Sequence, residues 1–312
     1  MRRALVILAA LLVAACGGTQ PAAPDQASGV AKVNAGVIAI VDTAPIHLGK
    51  AKGFFTEQKI DLTITPVQGG AAAVSGAVSG QFQFAFANTT SLLTAKQQGL
   101  DVKVVANGVS STGEQGKDFS AVLVKPDSPI KTAKDLAGRK ISVNQLKNIG
   151  DTTVRASVRN AGGDPAGIEF VELPFPDAPA ALQGGRVDAI WVVEPFVSQA
   201  INQGARPVAW NFADAAPNLT VAMYFTTGQT DADLTRRFTA AMRKSLEYAD
   251  AHPDEVREAL KTYTKIAPEV IAKINLPKWP VDVNKASVQT IADLAVADGV
   301  LKEKVDVSAL VP

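Results

Sequence analysis

The stretch VNAGVIAIVDTAPIHLGKAKGFFTEQKIDLTITPVQGG, residues 33–70, has the pattern of a strand, a helix and a second strand in turn. Its opening residues are rich in Val, Ala and Ile, which predicts a buried strand. Pro45 suits the first turn of a helix, and Gly53 marks the point where we expect that helix to end. Residues 60–65 alternate apolar and polar side chains, which predicts the second strand. This order favours parallel strands covered by helices.

The same alternation continues as far as residue 226. Strand-like runs recur, with helical or polar segments between them, at 82–86, 102–106, 121–124, 141–143, 168–173, 188–193, 207–209 and 223–226. Strands separated in this way predict an α/β fold with parallel sheets. Helical patterns follow, and the first of them places Phe238, Met242 and Leu246 on one apolar face.

The bulk composition limits the function classes. The chain has 312 residues, of which 47% are hydrophobic and 20% charged, and its formal net charge is +1. This balance offers no strong field for nucleic acid or an anionic lipid surface. The body from about residue 32 onward is long for one core, which favours two lobes. Cys16 is the only cysteine, so we expect a fold without disulfides.

The N-terminus has the pattern of an export signal. Arg2 and Arg3 precede an apolar run at 4–12, and small residues then lead to Cys16. The run is shorter than the ~20 apolar residues that span a bilayer, which favours a cleaved signal. The segment resembles the lipobox of bacterial lipoproteins, in which this cysteine is acylated before cleavage. The alternative is an ordinary secretory signal with a chance cysteine.

The lipobox resemblance implies a signal peptide at 1–15 and a lipidated, flexible tether at 16–32. The tether is rich in Pro, Ala, Gly, Ser and Gln, and it offers little apolar surface to bury. Two acyl chains hold a protein on a membrane far better than one. We therefore expect a body that is lipid-anchored on the extracytoplasmic face of the cell membrane.

Five segments of the chain together resemble one protein family. They are AKGFFTEQKIDLTITPVQGG at 51–70, SGAVSGQFQFAFAN at 75–88, SPIKTAKDLAGRKISV at 128–143, ALQGGRVDAIWVVEPF at 181–196 and IADLAVADGVL at 291–301. Their order and spacing resemble the solute-binding proteins of ABC importers. The subgroup is the one that binds nitrate, sulfonates, taurine and precursors of the thiamine pyrimidine.

This resemblance implies the periplasmic binding protein type II fold, with two lobes and a ligand cleft between them. The first lobe would comprise 33–118 plus 226–312, and the second lobe 119–225. Two crossover hinge strands, near 120–125 and 221–226, would carry the chain between lobes. Such lobes close on a ligand by a hinge motion, which signals occupancy to the permease. The implied partners are a small ligand and an ABC permease, and the implied state is a monomer.

Candidate ligand contacts lie after the carboxyl ends of the predicted strands, where ligands bind in open α/β sheets. Members of the family also place cleft contacts at these loops. The candidates are Asp42, Thr43, Gln68, Gly69, Gly70, Asn88, Thr89, Asn144, Gly150, Thr152, Trp191 and Glu194. We expect no catalytic residue, metal site or cofactor among them.

The candidates leave the charge of the ligand open. Helix starts at Thr89 and at 150–152 would suit a sulfonate, nitrate or carboxylate, because free N–H groups favour anions. The alternative to ligand binding is that the threonines at these helix starts only cap the helices. Asp42 and Glu194, with no Lys or Arg predicted nearby, instead suit an amine or a ring N–H donor. The alternative for Glu194 is that it only supports its turn. Trp191 either stacks on a flat ligand or packs in the core.

We therefore expect an extracytoplasmic protein that captures a small organic or oxyanion ligand, such as an aliphatic sulfonate, taurine or nitrate, for an ABC permease. The alternative is a binder of a thiamine pyrimidine precursor or another flat heterocycle. One branch of the family that this chain resembles consists of enzymes that synthesise the thiamine pyrimidine, but those enzymes carry a cysteine-rich motif that this chain lacks. His47 and His252 are the only histidines, and no metal-ligand or nucleotide-binding spacing occurs. An enzyme is therefore not expected.

Overall fold

The computed structural model describes residues 29–311. Its strands are β1 (Ala31–Val37), β2 (Ile60–Pro66), β3 (Phe84–Asn88), β4 (Val102–Ser110), β5 (Ser120–Val124), β6 (Lys140–Val143), β7 (Glu169–Glu172), β8 (Ala189–Val193), β9 (Arg206–Ala209) and β10 (Thr220–Thr227). Its α-helices are α1 (Ala44–Ala51), α2 (Phe54–Glu57), α3 (Gly70–Val78), α4 (Thr89–Gln97), α5 (Ile149–Asn160), α6 (Ala178–Gln183), α7 (Phe196–Asn202), α8 (Asn211–Ala215), α9 (Ala232–Ala251), α10 (Pro253–Tyr263), α11 (Pro268–Ile271) and α12 (Lys285–Ala297).

The strands form two five-stranded sheets. The first sheet has the order β2-β1-β3-β10-β4, and the second has the order β7-β6-β8-β5-β9. Helices α1–α4 and α9–α12 accompany the first sheet, and α5–α8 accompany the second. We call the first sheet with its helices the first lobe, and the second sheet with its helices the second lobe. The predicted two-lobed α/β architecture is confirmed.

The sheets are mixed, whereas the alternation of strands and helices favours parallel sheets. β10 runs antiparallel to β3 and β4, and β5 runs antiparallel to β8 and β9. These two strands are the first that the chain forms after each crossing between lobes. Each begins beside the carboxyl ends of its neighbours, since Ser120 pairs with Val193 and Thr220 with Ser110. A strand that enters a sheet from this edge can only run antiparallel.

The chain returns to the first lobe earlier than the sequence indicated. β10 pairs with β4 from Thr220 onward, so the second crossing precedes Thr220, whereas the sequence placed it near 221–226. Towards the N-terminus, Ala31 and Lys32 belong to β1 and pair with Ile60 and Asp61 of β2. The sequence had assigned Ala31 and Lys32 to the tether.

The predicted signal peptide, the lipidation site at Cys16 and most of the tether lie outside the described residues. Within residues 29–311, no helix is long and apolar enough to cross a membrane.

Two glycines hold α3 close against the first sheet. The ring of Phe82, only 4% exposed, fills the space beside Gly36 of β1 and Gly76 of α3. A Cβ atom would lie 2.6 Å from this ring at Gly36 and 2.3 Å from it at Gly76. A methyl group therefore does not fit at either position, and helix and strand can approach only because both residues are glycine.

We predict that Gly76→Ala destabilises the protein by about 1–2 kcal/mol, because overpacking outweighs the gain in helix propensity. Urea unfolding followed by circular dichroism measures this change. Gly167→Ala is the control, since its Cβ would lie 3.5 Å from the nearest atom, an ordinary contact. Equal unfolding free energies for the two variants would contradict the packing argument.

Candidate ligand-binding cleft

The carboxyl ends of strands from both sheets meet between the lobes, where they enclose a small inner cavity. Its volume is about 20 Å³, enough for about one water-sized group. The first lobe supplies Ile38, Ile40, Asp42, Phe86, Asn88, Val221 and Ala222, and the second supplies Asn144, Ile149, Phe175, Trp191, Val193 and Phe212. The lining is therefore mostly apolar and aromatic, with one carboxyl group and two amides.

A larger outer cavity of about 270 Å³ adjoins the inner one. It is lined by Ile38, Ala39, Ile40, Pro66, Val67, Gln68, Phe175, Pro176 and Phe196. Ile38, Ile40 and Phe175 line both cavities, so the two spaces are neighbours. Together they provide room for a small organic molecule whose tip reaches the inner cavity.

Asp42 is the titratable residue of the inner cavity. It lies in the short 3₁₀ turn Val41–Thr43 after β1 and is 2% exposed. Its Oδ1 atom is buried without a hydrogen-bond partner. Burial, with the charge of Asp118 as a smaller cause, raises the pKa of Asp42 to about 8. At neutral pH this carboxyl group is therefore mostly protonated in the folded protein.

Trp191 belongs to the core of the second lobe and also lines the inner cavity. Its Nε1 donates to Ser120 Oγ over 2.9 Å, and its ring contacts Phe175 and Phe212 at centroid distances of 5.4 and 6.0 Å. Gly150 lies against the indole, where a Cβ atom would come within 2.2 Å of the ring. Gly150 therefore has a packing role, because only glycine lets the start of α5 approach Trp191.

The predicted threonines use their hydroxyl groups inside the fold. Thr43 donates to the carbonyl of Ile38, Thr89 to that of Thr220 and Thr152 to that of Asn148, at 2.8, 2.7 and 3.1 Å. The starts of α4 and α5 do face each other, since Thr90 Oγ1 and Thr152 Oγ1 are 3.5 Å apart across the lobes. Asn88 and Asn148 cap these two helices.

Polar contacts between the lobes close one side of the cleft. Asn144 Nδ2 donates to the carbonyl of Gln68 over 3.4 Å. Gln145 Oε1 accepts from the backbone N–H of Ala71 over 2.9 Å, and Gly69 and Gly70 hold this helix start close to neighbouring side chains. Gln145 was not among the predicted contacts. Its position directly after Asn144 was the signal that could have identified it.

The structure places Glu194 between the lobes but outside the lining of both cavities. Its carboxylate accepts from Ser198 Oγ over 2.8 Å and from the backbone N–H of Asn275, in the first lobe, over 3.2 Å. Its carbonyl accepts from the N–H of Val41 over 3.1 Å. Burial raises the pKa of Glu194 to about 7. These contacts give Glu194 a structural role where the lobes meet.

The cleft thus gathers only part of the predicted set. Asp42, Asn88, Asn144 and Trp191 line the inner cavity, and Gln68 lines the outer one. The sequence missed the apolar walls, namely Ile38, Ile40, Phe86, Phe175 and Phe212. Nothing in the sequence distinguishes such residues from an ordinary core. In the part of the chain that the structure describes, no group of three or more His, Cys, Asp or Glu residues is placed to hold a metal ion.

Comparisons with known proteins agree with this geometry. The family model described as NMT1/THI5 like matches residues 40–256. The chain belongs to this family. It is 23% identical over 272 residues to a Bacillus subtilis protein named for binding aliphatic sulfonates, a match that covers 85% of this chain and 73% of that protein. An Escherichia coli protein of the same name is 30% identical over 196 residues, which covers 60% of each chain.

Solved structures confirm the periplasmic binding protein fold. The alkanesulfonate-binding protein of Xanthomonas axonopodis, solved with bound MOPS, superposes with a TM-score of 0.75 at 19% identity. This match covers 93% of the present chain and 99% of the other. The family model and the curated relatives confirm the family predicted from the sequence, and the solved structures confirm its architecture of two lobes.

We predict that Asp42 and Glu194 make the stability of the protein fall as pH rises from about 4 to 8, because in the folded state both retain protons that the unfolded chain releases. His47, whose pKa burial lowers to about 4, opposes this change in the lower part of the window. Asp42 contributes over this whole window and Glu194 over its lower part, since their pKa values rise to about 8 and about 7. Asp42→Asn should make the slope shallower by up to about 1.4 kcal/mol per pH unit.

Urea unfolding at several pH values measures this slope. Asp177→Asn is the control, because Asp177 is exposed, directly follows Pro176 at the rim of the outer cavity and lines neither cavity. An unchanged slope in Asp42→Asn would contradict the prediction.

Proposed function

We propose that this chain is the solute-binding protein of an ABC importer, which captures a small organic solute between its lobes and delivers it to a permease. The observation that carries the proposal is the pair of adjoining cavities at the lobe interface. Both lobes contribute walls, and contacts such as Gln145 with Ala71 bridge the cleft edge. A site built from two lobes binds a ligand most tightly when the lobes are closed, which couples occupancy to shape.

The first candidate ligand is an aliphatic sulfonate or a similar small anion, which is what the named relatives suggest. The apolar walls of the outer cavity suit an alkyl chain. An anionic head would lie at the cleft edge, where Asn144 Nδ2 has a second N–H besides the one that it donates to the carbonyl of Gln68.

The second candidate is a flat heterocycle, such as a thiamine pyrimidine precursor. It is favoured by the rings of Phe86, Phe175, Trp191 and Phe212 around the inner cavity. The charges favour it too: neither cavity has a Lys or Arg among its lining residues within the described range. We propose binding without catalysis in both cases, since Asp42 is the one titratable side chain that lines them.

We predict that Phe175→Ala weakens ligand binding by about tenfold or more, because Phe175 lines both cavities and its loss removes apolar contact with the ligand. Phe170→Ala is the matched control, since Phe170 is half-buried outside both cavities, beneath Arg155. Thermal shift with ethanesulfonate, taurine, nitrate and 4-aminopyrimidine identifies a ligand, and calorimetry then measures the affinity of each variant.

A ligand at 100 times its dissociation constant stabilises the protein by about 2.7 kcal/mol, which a thermal melt detects. Absence of any shift with the whole set would contradict the ligand classes. Equal losses in both variants would contradict the location of the site.

We also propose that acylation of Cys16 anchors the body at the extracytoplasmic face of the membrane, within reach of its permease. The support is the position of the only cysteine after the apolar run. We predict that Cys16→Ala moves the protein out of the membrane fraction and leaves the affinity of the purified body unchanged. Immunoblots of cell fractions and calorimetry measure the two effects. Continued membrane retention would contradict the anchor, and a lower affinity would contradict a role as tether alone.

A further inference from the structure

We propose that the inner cavity is a subsite for a single hydrogen-bond donor of the ligand, an amino group or ring N–H, which Asp42 binds as the acceptor. The inference rests on the proposed function and specifies the orientation of the ligand. The donor end enters the inner cavity, and the rest of the molecule, including any anionic group, stays in the outer cavity or at the cleft edge.

The first support is an unsatisfied polar group at a cavity. Asp42 is 2% exposed, and its Oδ1 atom has no hydrogen-bond partner. The hydroxyl group of Tyr224 is likewise buried without a partner, and it lies near enough for the charge of Asp42 to raise the pKa of Tyr224. Buried polar groups are nearly always hydrogen-bonded, and exceptions cluster at functional sites. A ligand that donates a hydrogen bond here would supply the missing partner.

The second support is the size of the space. The inner cavity of about 20 Å³ accommodates about one non-hydrogen atom with its hydrogens. An amino group has this size, whereas a sulfonate head, with one sulfur and three oxygens, does not. The outer cavity, at about 270 Å³, holds a ring or a short alkyl chain.

The third support is the sign of the charges. Asp42 and the neighbouring Asp118 are both acidic, and each is buried. Within the range that the structure describes, the inner cavity has no Lys or Arg among its lining residues. Burial keeps the carboxyl group of Asp42 mostly protonated at neutral pH. A donor with positive charge would stabilise its ionised form, whereas an anionic group would further oppose ionisation. The aromatic rings of Phe86, Trp191 and Phe212 in the lining also favour a cationic amine over an anion.

Matched ligand pairs test the inference. Taurine and ethanesulfonate share the sulfonate and the two-carbon chain, and only taurine carries an ammonium group. 4-Aminopyrimidine and pyrimidine differ in the same way on a flat ring. We expect wild-type protein to bind the amino member of at least one pair about tenfold or more tightly than its partner. Asp42→Asn should reduce that ratio to about threefold or less, whereas the rim control Asp177→Asn should leave it unchanged.

Calorimetry measures the four affinities for each variant. Equal or tighter binding of the unaminated members by wild type overturns the inference and leaves the proposed function intact. An undiminished ratio in folded Asp42→Asn overturns it as well. If that variant fails to fold, as judged by circular dichroism, the wild-type ratios alone decide. If the wild-type protein binds none of the four compounds, the result counts against both the inference and the proposed ligand classes.

Discussion

The site depends on one topological constraint, which is that the chain crosses between the lobes twice and re-enters a sheet antiparallel each time. β5 and β10 begin beside the carboxyl ends of their neighbours and run away from the lobe interface. The parallel strands of both sheets consequently direct their carboxyl ends towards the same interface. Loops and helix starts, the parts of an α/β sheet that bind ligands, therefore come from both lobes to one place. Without the antiparallel entries, the two sets of loops would not meet.

Much of this arrangement was predictable, because the strand–helix alternation and the short turns are local properties. The sequence located the loops after β1, β2, β3, β6 and β8 correctly, since each follows an apolar run and precedes a helical one. The direction of β5 and β10 was not predictable from periodicity, because a strand has the same pattern in either direction. The two ends of β10, Thr220 and Thr227, lay outside the segment expected as a crossover strand.

The side-chain chemistry of the site was less predictable, because hydrogen bonds within the fold compete with the ligand for the same groups. A threonine at a helix start is suited to bind an anion, yet Thr89 donates to carbonyl groups of β10 that lie 131 and 132 positions further along the chain. Glu194 similarly bonds to Ser198 and Asn275. Asp42 differs because no neighbour satisfies its Oδ1 atom. Leaving a buried polar group unpaired costs about 1–3 kcal/mol, so its retention beside a cavity is better explained by binding than by folding.

The contacts that close the cleft are weak, and a binding protein of this kind requires them to be weak. The bonds from Asn144 to Gln68 and from Ala71 to Gln145 are 3.4 and 2.9 Å long, and each contributes only about 0.5–1.5 kcal/mol net. The ion pair of Arg159 with Asp298 also joins the lobes, but Arg159 is 40% exposed, so it adds about 1 kcal/mol at most. Each of these contacts is small enough for the differential affinity of a ligand for the closed form to outweigh it. Stronger contacts would keep the lobes closed without a ligand, and a permease would then have no means of distinguishing loaded from empty protein.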